Sequence, residues 1–85
     1  MDDAQMREAV KTFILEQFLP GESPDAIDDA TPLITGGILD SISTIKLVSF
    51  IEEQLGVEFA AHEISADYLD SIARIVEVVR EKRGE

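Results

Sequence analysis

This chain of 85 residues contains no cysteine and no tryptophan, one tyrosine and one histidine. Without cysteine there is no disulfide framework and no thiolate metal site, so any thiol the protein uses must be borrowed from another molecule. Such a composition suits a reducing compartment, and a cytoplasmic protein is expected. Basic residues are scarce as well: seven Lys and Arg stand against 18 Asp and Glu, for a formal charge of −11. Residues 1–70 hold 15 of the acids and only three of the basic residues. Phosphate backbones repel such a surface, which argues against nucleic acid as a partner. The same charge favours fast, salt-sensitive encounters with basic patches on other proteins, and it also keeps a small domain dispersed. No apolar run approaches the roughly 20 residues that span a bilayer, and the opening Asp2-Asp3 is unlike a basic, apolar leader, so no membrane span is expected. A chain this short makes one domain, residues 1–85, with a modest core and a stability on the order of 5 kcal/mol. It has little room for a deep active site of its own.

Metal chemistry is poorly provided for. His62 has no second histidine or cysteine to share an ion with and reads as a surface residue. The acidic connection invites comparison with a calcium loop, but counting from Asp25 puts Ile27 at the third position, Ala30 where a glycine belongs and Gly36 where a bidentate glutamate belongs. No metal site is expected.

What the chain does contain is helical periodicity. Met6, Val10, Phe13, Ile14 and Phe18 form one stripe and predict a first helix from about Asp3 to Phe18, stopped by Leu19-Pro20-Gly21. Residues 22–39 form a long connection with Pro24, Pro32, Gly36 and Gly37, in which Ala26, Ile27, Leu33, Ile34, Ile38 and Leu39 are available as anchors to the core. A second helix is predicted from Ser41 to Leu55, ending at Gly56, with Ile45, Leu47, Val48, Ile51 and Leu55 on one face and Ile42, Lys46, Ser49 and Glu53 opposite. The segment around 61–66 reads as a short third helix. A last helix, capped by Asp70 or Ser71, runs to about Lys82 on the stripe Ile72, Ile75, Val76 and Val79, with Arg80, Lys82 and Arg83 suited to its negative end. Tyr68 and the phenylalanines read as packing residues rather than as a stacking platform for bases. The expected fold is all-α: a small bundle of three main helices plus one short helix, with connectivity left open.

The most informative stretch is Gly36-Gly37-Ile38-Leu39-Asp40-Ser41-Ile42. It sets the Ser41 hydroxyl at the mouth of the second helix, where unpaired N–H groups and the positive end of the macrodipole favour a phosphate ester. Asp-Ser ahead of an apolar-periodic run also serves as an ordinary helix cap, and the two roles are compatible. Taken with Ser43-Thr44-Ile45-Lys46-Leu47-Val48 and Ile51-Glu52-Glu53-Gln54-Leu55-Gly56-Val57, the stretch resembles the acyl and peptidyl carrier protein family, whose signature is an Asp-Ser-Leu-like tripeptide opening the second helix. The resemblance covers nearly the whole chain and implies an acyl-carrier-protein-like bundle.

It further implies that Ser41 carries a covalent 4′-phosphopantetheine arm, transferred from coenzyme A by a separate phosphopantetheinyl transferase, and that the arm's thiol holds cargo as a thioester. By the same resemblance Asp40 helps the transferase to recognise the site, and Ile42, an apolar residue on the solvent face, contacts partner enzymes. The implied partners are that transferase, an acyl or aminoacyl ligase, and downstream synthase or transferase enzymes. The protein is then their substrate and not an enzyme, and a monomer is expected. Ser43, Lys46 and Ser49 depart from the acidic and apolar residues usual along the second helix of housekeeping fatty-acid carriers. That departure points to a specialised standalone carrier in lipid, polyketide or other secondary biosynthesis, or to an aminoacyl or peptidyl carrier. Two readings from other classes stand beside it: a non-covalent acidic helical adaptor in which Ser41 is only a cap, and a small hydrolase with Ser41 as nucleophile.

Overall fold

The computed structural model describes residues 2–84. They form four α-helices and no strand: α1 (Asp3–Phe18), α2 (Ser41–Leu55), α3 (Ala66–Leu69) and α4 (Ile72–Lys82), with single 3-10 turns at Pro24–Ala26 and Ala61–Glu63. This is the all-α bundle of three main helices and one short one that the periodicity predicts. The α1 helix starts where Asp2 accepts from the Gln5 N–H at 2.8 Å while the Gln5 side chain accepts from the Asp2 N–H at 2.9 Å, satisfying donors at both sides of the first turn. The α2 helix stops at Gly56, whose φ of 71° is a left-handed cap that glycine adopts without strain.

The core forms where these faces meet. Met6, Val10 and Ile14 of α1 pack with Leu47, Ile51 and Leu55 of α2 and with Ile72, Ile75 and Val79 of α4, all buried. The α1 helix lies against both α2 and α4, and α3 lies against α4. On the outer side of the α1–α2 contact Phe13 stacks on Phe50 with ring centroids 4.2 Å apart, and Phe18 meets Phe13 edge-on at 5.6 Å. Ion pairs tie distant segments: Arg7 reaches Asp3 at 2.6 Å and Asp29 at 3.6 Å, Arg80 reaches Asp3 at 3.5 Å, and Lys82 reaches Glu63 at 2.6 Å with its ammonium over the Phe59 ring. The basic end of α4 therefore fastens neighbouring segments as well as meeting its helix dipole.

Three details differ from the periodicity reading. On α2, Ile45 is 57 % exposed and Thr44 occupies the core instead. The buried arc runs through Thr44, Leu47, Val48, Ile51 and Leu55, and at about 100° per residue Ile45 falls roughly 60° beyond its Val48 edge. Thr44 tolerates burial because its hydroxyl donates to the Asp40 carbonyl at 2.7 Å. The short helix lies at Ala66–Leu69 rather than around residues 61–66, where only one 3-10 turn forms, closed by the Glu63 carboxylate accepting from the Ala60 N–H at 2.8 Å. In the long connection Ile27, Leu33 and Leu39 are buried and Ile34 and Ile38 pack partly, but Ala26 is exposed on the Pro24–Ala26 turn.

A tight turn over residues 32–39 delivers the chain to α2. Leu39 N–H donates back to the Leu33 carbonyl at 2.8 Å and Gly37 N–H to the Ile34 carbonyl at 3.1 Å. A Cβ on Gly36 would lie inside van der Waals contact of the Pro32 carbonyl oxygen, so the turn closes only because that position has no side chain. Gly36→Ala is expected to lower stability by about 2 kcal/mol, against about 1 kcal/mol for Gly37→Ala, which meets open space but must hold a positive φ. Urea midpoints of the two variants check the order.

Candidate functional site

Ser41 is the first residue of α2 and is exposed. Capping falls to Asp40 alone: its carboxylate accepts from the Ser43 N–H at 2.8 Å, and its carbonyl accepts from the Thr44 N–H at 2.9 Å. The Ser41 hydroxyl makes no hydrogen bond to another described residue. The sequence reading allowed Ser41 to share the cap, and the geometry assigns that work to its neighbour. Ile42 follows on the solvent side, 66 % exposed.

Beside Ser41 opens a cleft of about 450 Å³ lined by Ile34, Leu39, Asp40, Ser41, Thr44, Ile45, Ile64 and Ser65. Three stretches of chain build it: the 32–39 turn, the first turns of α2, and the segment that leads into α3. Its wall is mixed: Ile34, Leu39, Ile45 and Ile64 supply the apolar part, and Asp40, Ser41, Thr44 and Ser65 the polar part. The displacement of Ile45 from the core stripe has its consequence here, since Ile45 forms a wall of this cleft. Ile64, at 36 % exposure, forms another.

Asp70 holds the 32–39 turn in place. Its carboxylate accepts from the Ile34 N–H at 2.8 Å, the Thr35 N–H at 2.9 Å and the Thr35 hydroxyl at 2.7 Å, while its carbonyl accepts from the Leu33 N–H at 2.6 Å. The sequence offers Asp70 and Ser71 as alternative caps for the last helix; the Ser71 hydroxyl takes that role, accepting from the Arg74 N–H at 3.1 Å. Nothing in the spacing of residues announces the bonds from Asp70 to Ile34 and Thr35, because their sequence separation leaves no local pattern. The only signal is a redundancy, two capping residues side by side for one helix.

Both carboxylates lie below the usual range. The Ser43 N–H and then the Ser43 hydroxyl hold Asp40 down, and the Thr35 N–H followed by the Thr35 hydroxyl hold Asp70 down. A carboxylate whose folded-state value is depressed stabilises the fold fully above its unfolded value and loses that contribution as pH falls through the folded value. The α2 cap and the turn are therefore expected to stay intact at neutral pH and loosen only below about pH 4. Amide resonances of Ile34, Thr35 and Ser43 followed through an acid titration check this, and a midpoint above the ordinary carboxylate range contradicts it.

His62 is exposed, with its ring edge-on to Tyr68 at a centroid distance of 6.0 Å, and no triad partner for Ser41 is formed among the described residues. Among the described residues no group of three His, Cys, Asp or Glu side chains is arranged to hold a metal, and no helix is long and apolar enough to cross a membrane. An exposed, unengaged hydroxyl at a helix start, with a partly apolar cleft alongside, fits a covalently attached phosphate ester carrying an extended arm.

A protein-family model described as the phosphopantetheine attachment site matches residues 14–79, from the later turns of α1 into α4. No curated protein matches the chain.

Proposed function

Because this chain belongs to the phosphopantetheine attachment site family, its domain is a site for covalent 4′-phosphopantetheine, and on that premise we propose that it is a specialised acyl carrier protein loaded on Ser41. The observation that carries the assignment to Ser41 is its place as an exposed first helical residue, released from capping by Asp40 and opening on the cleft. Ser41 Oγ attacks the pyrophosphate of coenzyme A within a transferase that supplies metal and base. The adenosine bisphosphate half leaves, the serine proton passes to that base, and a phosphodiester remains at the start of α2. The arm, when attached, supplies the thiol that the chain lacks and holds cargo as a thioester.

The residues of the chain divide the remaining work. Asp40 fixes the first turn so that Ser41 is presented outward, and it lies where the transferase must read the site. Ile42 is the apolar contact offered to partner enzymes, with Ile45 beside it. The apolar walls formed by Ile34, Leu39, Ile45 and Ile64 suit an acyl portion of the cargo better than a charged one. A ligase that charges the thiol and a synthase or transferase that consumes the thioester complete the set of partners. Docking need only be weak and brief, since the arm raises the local concentration of cargo wherever the domain lands. The whole chain is read as one carrier domain.

Incubation of the purified chain with coenzyme A, magnesium and a broad-specificity phosphopantetheinyl transferase, followed by intact mass measurement, tests the reading. We expect a gain of one phosphopantetheinyl group. A thiol reagent gives a second count, expected to be none before loading and one after it, because the sequence has no cysteine. No gain with several transferases, on a folded sample, would move the function to the non-covalent adaptor.

A further inference from the structure

Asp70 is remote from Ser41 in sequence, yet its hydrogen bonds end on the stretch of chain that walls the Ser41 cleft. We propose that Asp70 is a positioning residue for the loading of Ser41, clasping the 32–39 turn so that the cleft and the serine beside it are presented in one arrangement. This rests on the reading of Ser41 as the attachment site.

The geometry runs in an unbroken line. The Asp70 carboxylate takes the N–H groups of Ile34 and Thr35 and the Thr35 hydroxyl, and its carbonyl takes the Leu33 N–H. Leu33 in turn accepts from the Leu39 N–H at 2.8 Å, and Leu39 directly precedes the Asp40 cap and Ser41. Ile34 and Leu39 are themselves walls of the cleft. No helix requires the Asp70 side chain, because Ser71 caps α4. Three acceptor bonds from one carboxylate therefore all go to a turn whose own internal bonds are few. Without them the N–H groups of Ile34 and Thr35 lose their acceptor, and the turn has little to prevent it from shifting against α2. A transferase that must bring coenzyme A to Ser41 Oγ then meets a site that is correctly arranged only part of the time, which weakens apparent binding in proportion. Once bound in the right arrangement, Ser41 reacts as before.

The expected signature is a KM effect without a kcat effect. In steady-state loading by a broad-specificity transferase, Asp70→Ala raises the KM for the carrier about fivefold or more and leaves kcat within about twofold. Asp70→Asn keeps an oxygen that accepts from both backbone N–H groups and an amide that donates to the Thr35 hydroxyl, so it returns KM to within about twofold of wild type. Val10→Ala, a truncation in the α1 core, lowers the urea midpoint and leaves KM unchanged. Should Asp70→Ala not fold, Thr35→Val removes one bond of the three and raises KM about threefold or more, beyond the twofold band that counts as wild type.

Wild-type KM in Asp70→Ala, or in Thr35→Val where it stands in, overturns the inference. So does an Asn variant as poor as the Ala variant, the result expected if the transferase reads the charge of Asp70 directly, and so does a KM rise in Val10→Ala as large as that in Asp70→Ala. Absence of loading in the wild-type chain strikes a different point: it overturns the Ser41 reading and takes this inference with it.

Discussion

Ser41→Ala is expected to take up no phosphopantetheine at all under conditions that fully load the wild-type chain, while its unfolding free energy from urea titration stays within about 0.5 kcal/mol of wild type. The two halves of this expectation have separate causes. Loading requires an oxygen nucleophile, and alanine has none, so the loss is complete rather than partial. Stability hardly changes because Ser41 is exposed at the first position of α2 and the cap is carried by Asp40 through its bond to the Ser43 N–H. A variant that still gained mass would place attachment on another hydroxyl. A variant that lost much stability would mean that Ser41 shares the cap after all. Asp40→Ala gives the complementary result: a lower urea midpoint with Ser41 still present, and slower loading if the first turn of α2 must be formed for recognition.

The second large effect is on the fold. Leu47→Ala is expected to cost about 3–4 kcal/mol, since Leu47 is fully buried in the hydrophobic core and its truncation leaves a cavity. Set against a total on the order of 5 kcal/mol, that leaves about 3 to 15 per cent of the protein unfolded at 25 °C and moves the urea midpoint sharply down. Ile45→Ala, two residues away and of similar apolar content, is expected to cost no more than about 0.5 kcal/mol because its side chain stands largely in solvent. Equal costs for the two variants would contradict the placement of Ile45 at the cleft.

That pair also marks what could be read from the residues alone. The bounds of α1 and α2 were legible because apolar spacing, an Asp or Ser start and a Gly or Pro-Gly stop all agree at their ends. The buried side of α2 was legible in its middle but not at its edge. Ile45 has the character of a core residue, and only the arrangement of the 32–39 turn and the segment before α3 leaves it uncovered. Thr44 has the character of a surface residue, and only its bond to the Asp40 carbonyl makes burial tolerable. Short elements carry too little pattern to be placed, so the helix expected around residues 61–66 fell on the 3-10 turn at Ala61–Glu63 and missed the helix at Ala66–Leu69. The stretch from Gly36 to Ile42 was legible because its signature is local. Asp70 was not, because its partners are brought to it by the fold.

The junction that carries Asp70 has an optical consequence. Tyr68 is the only tyrosine in a chain without tryptophan, and it sits there with the Arg74 guanidinium 5.4 Å from its ring centroid and His62 at its edge. Its ultraviolet emission therefore comes from one place in the molecule, within two residues of the clasp. Loosening of that corner, by substitution or by a docking partner, is expected to alter the emission and anisotropy of Tyr68 without any dye, giving the protein a built-in fluorophore beside the bonds from Asp70 to the 32–39 turn.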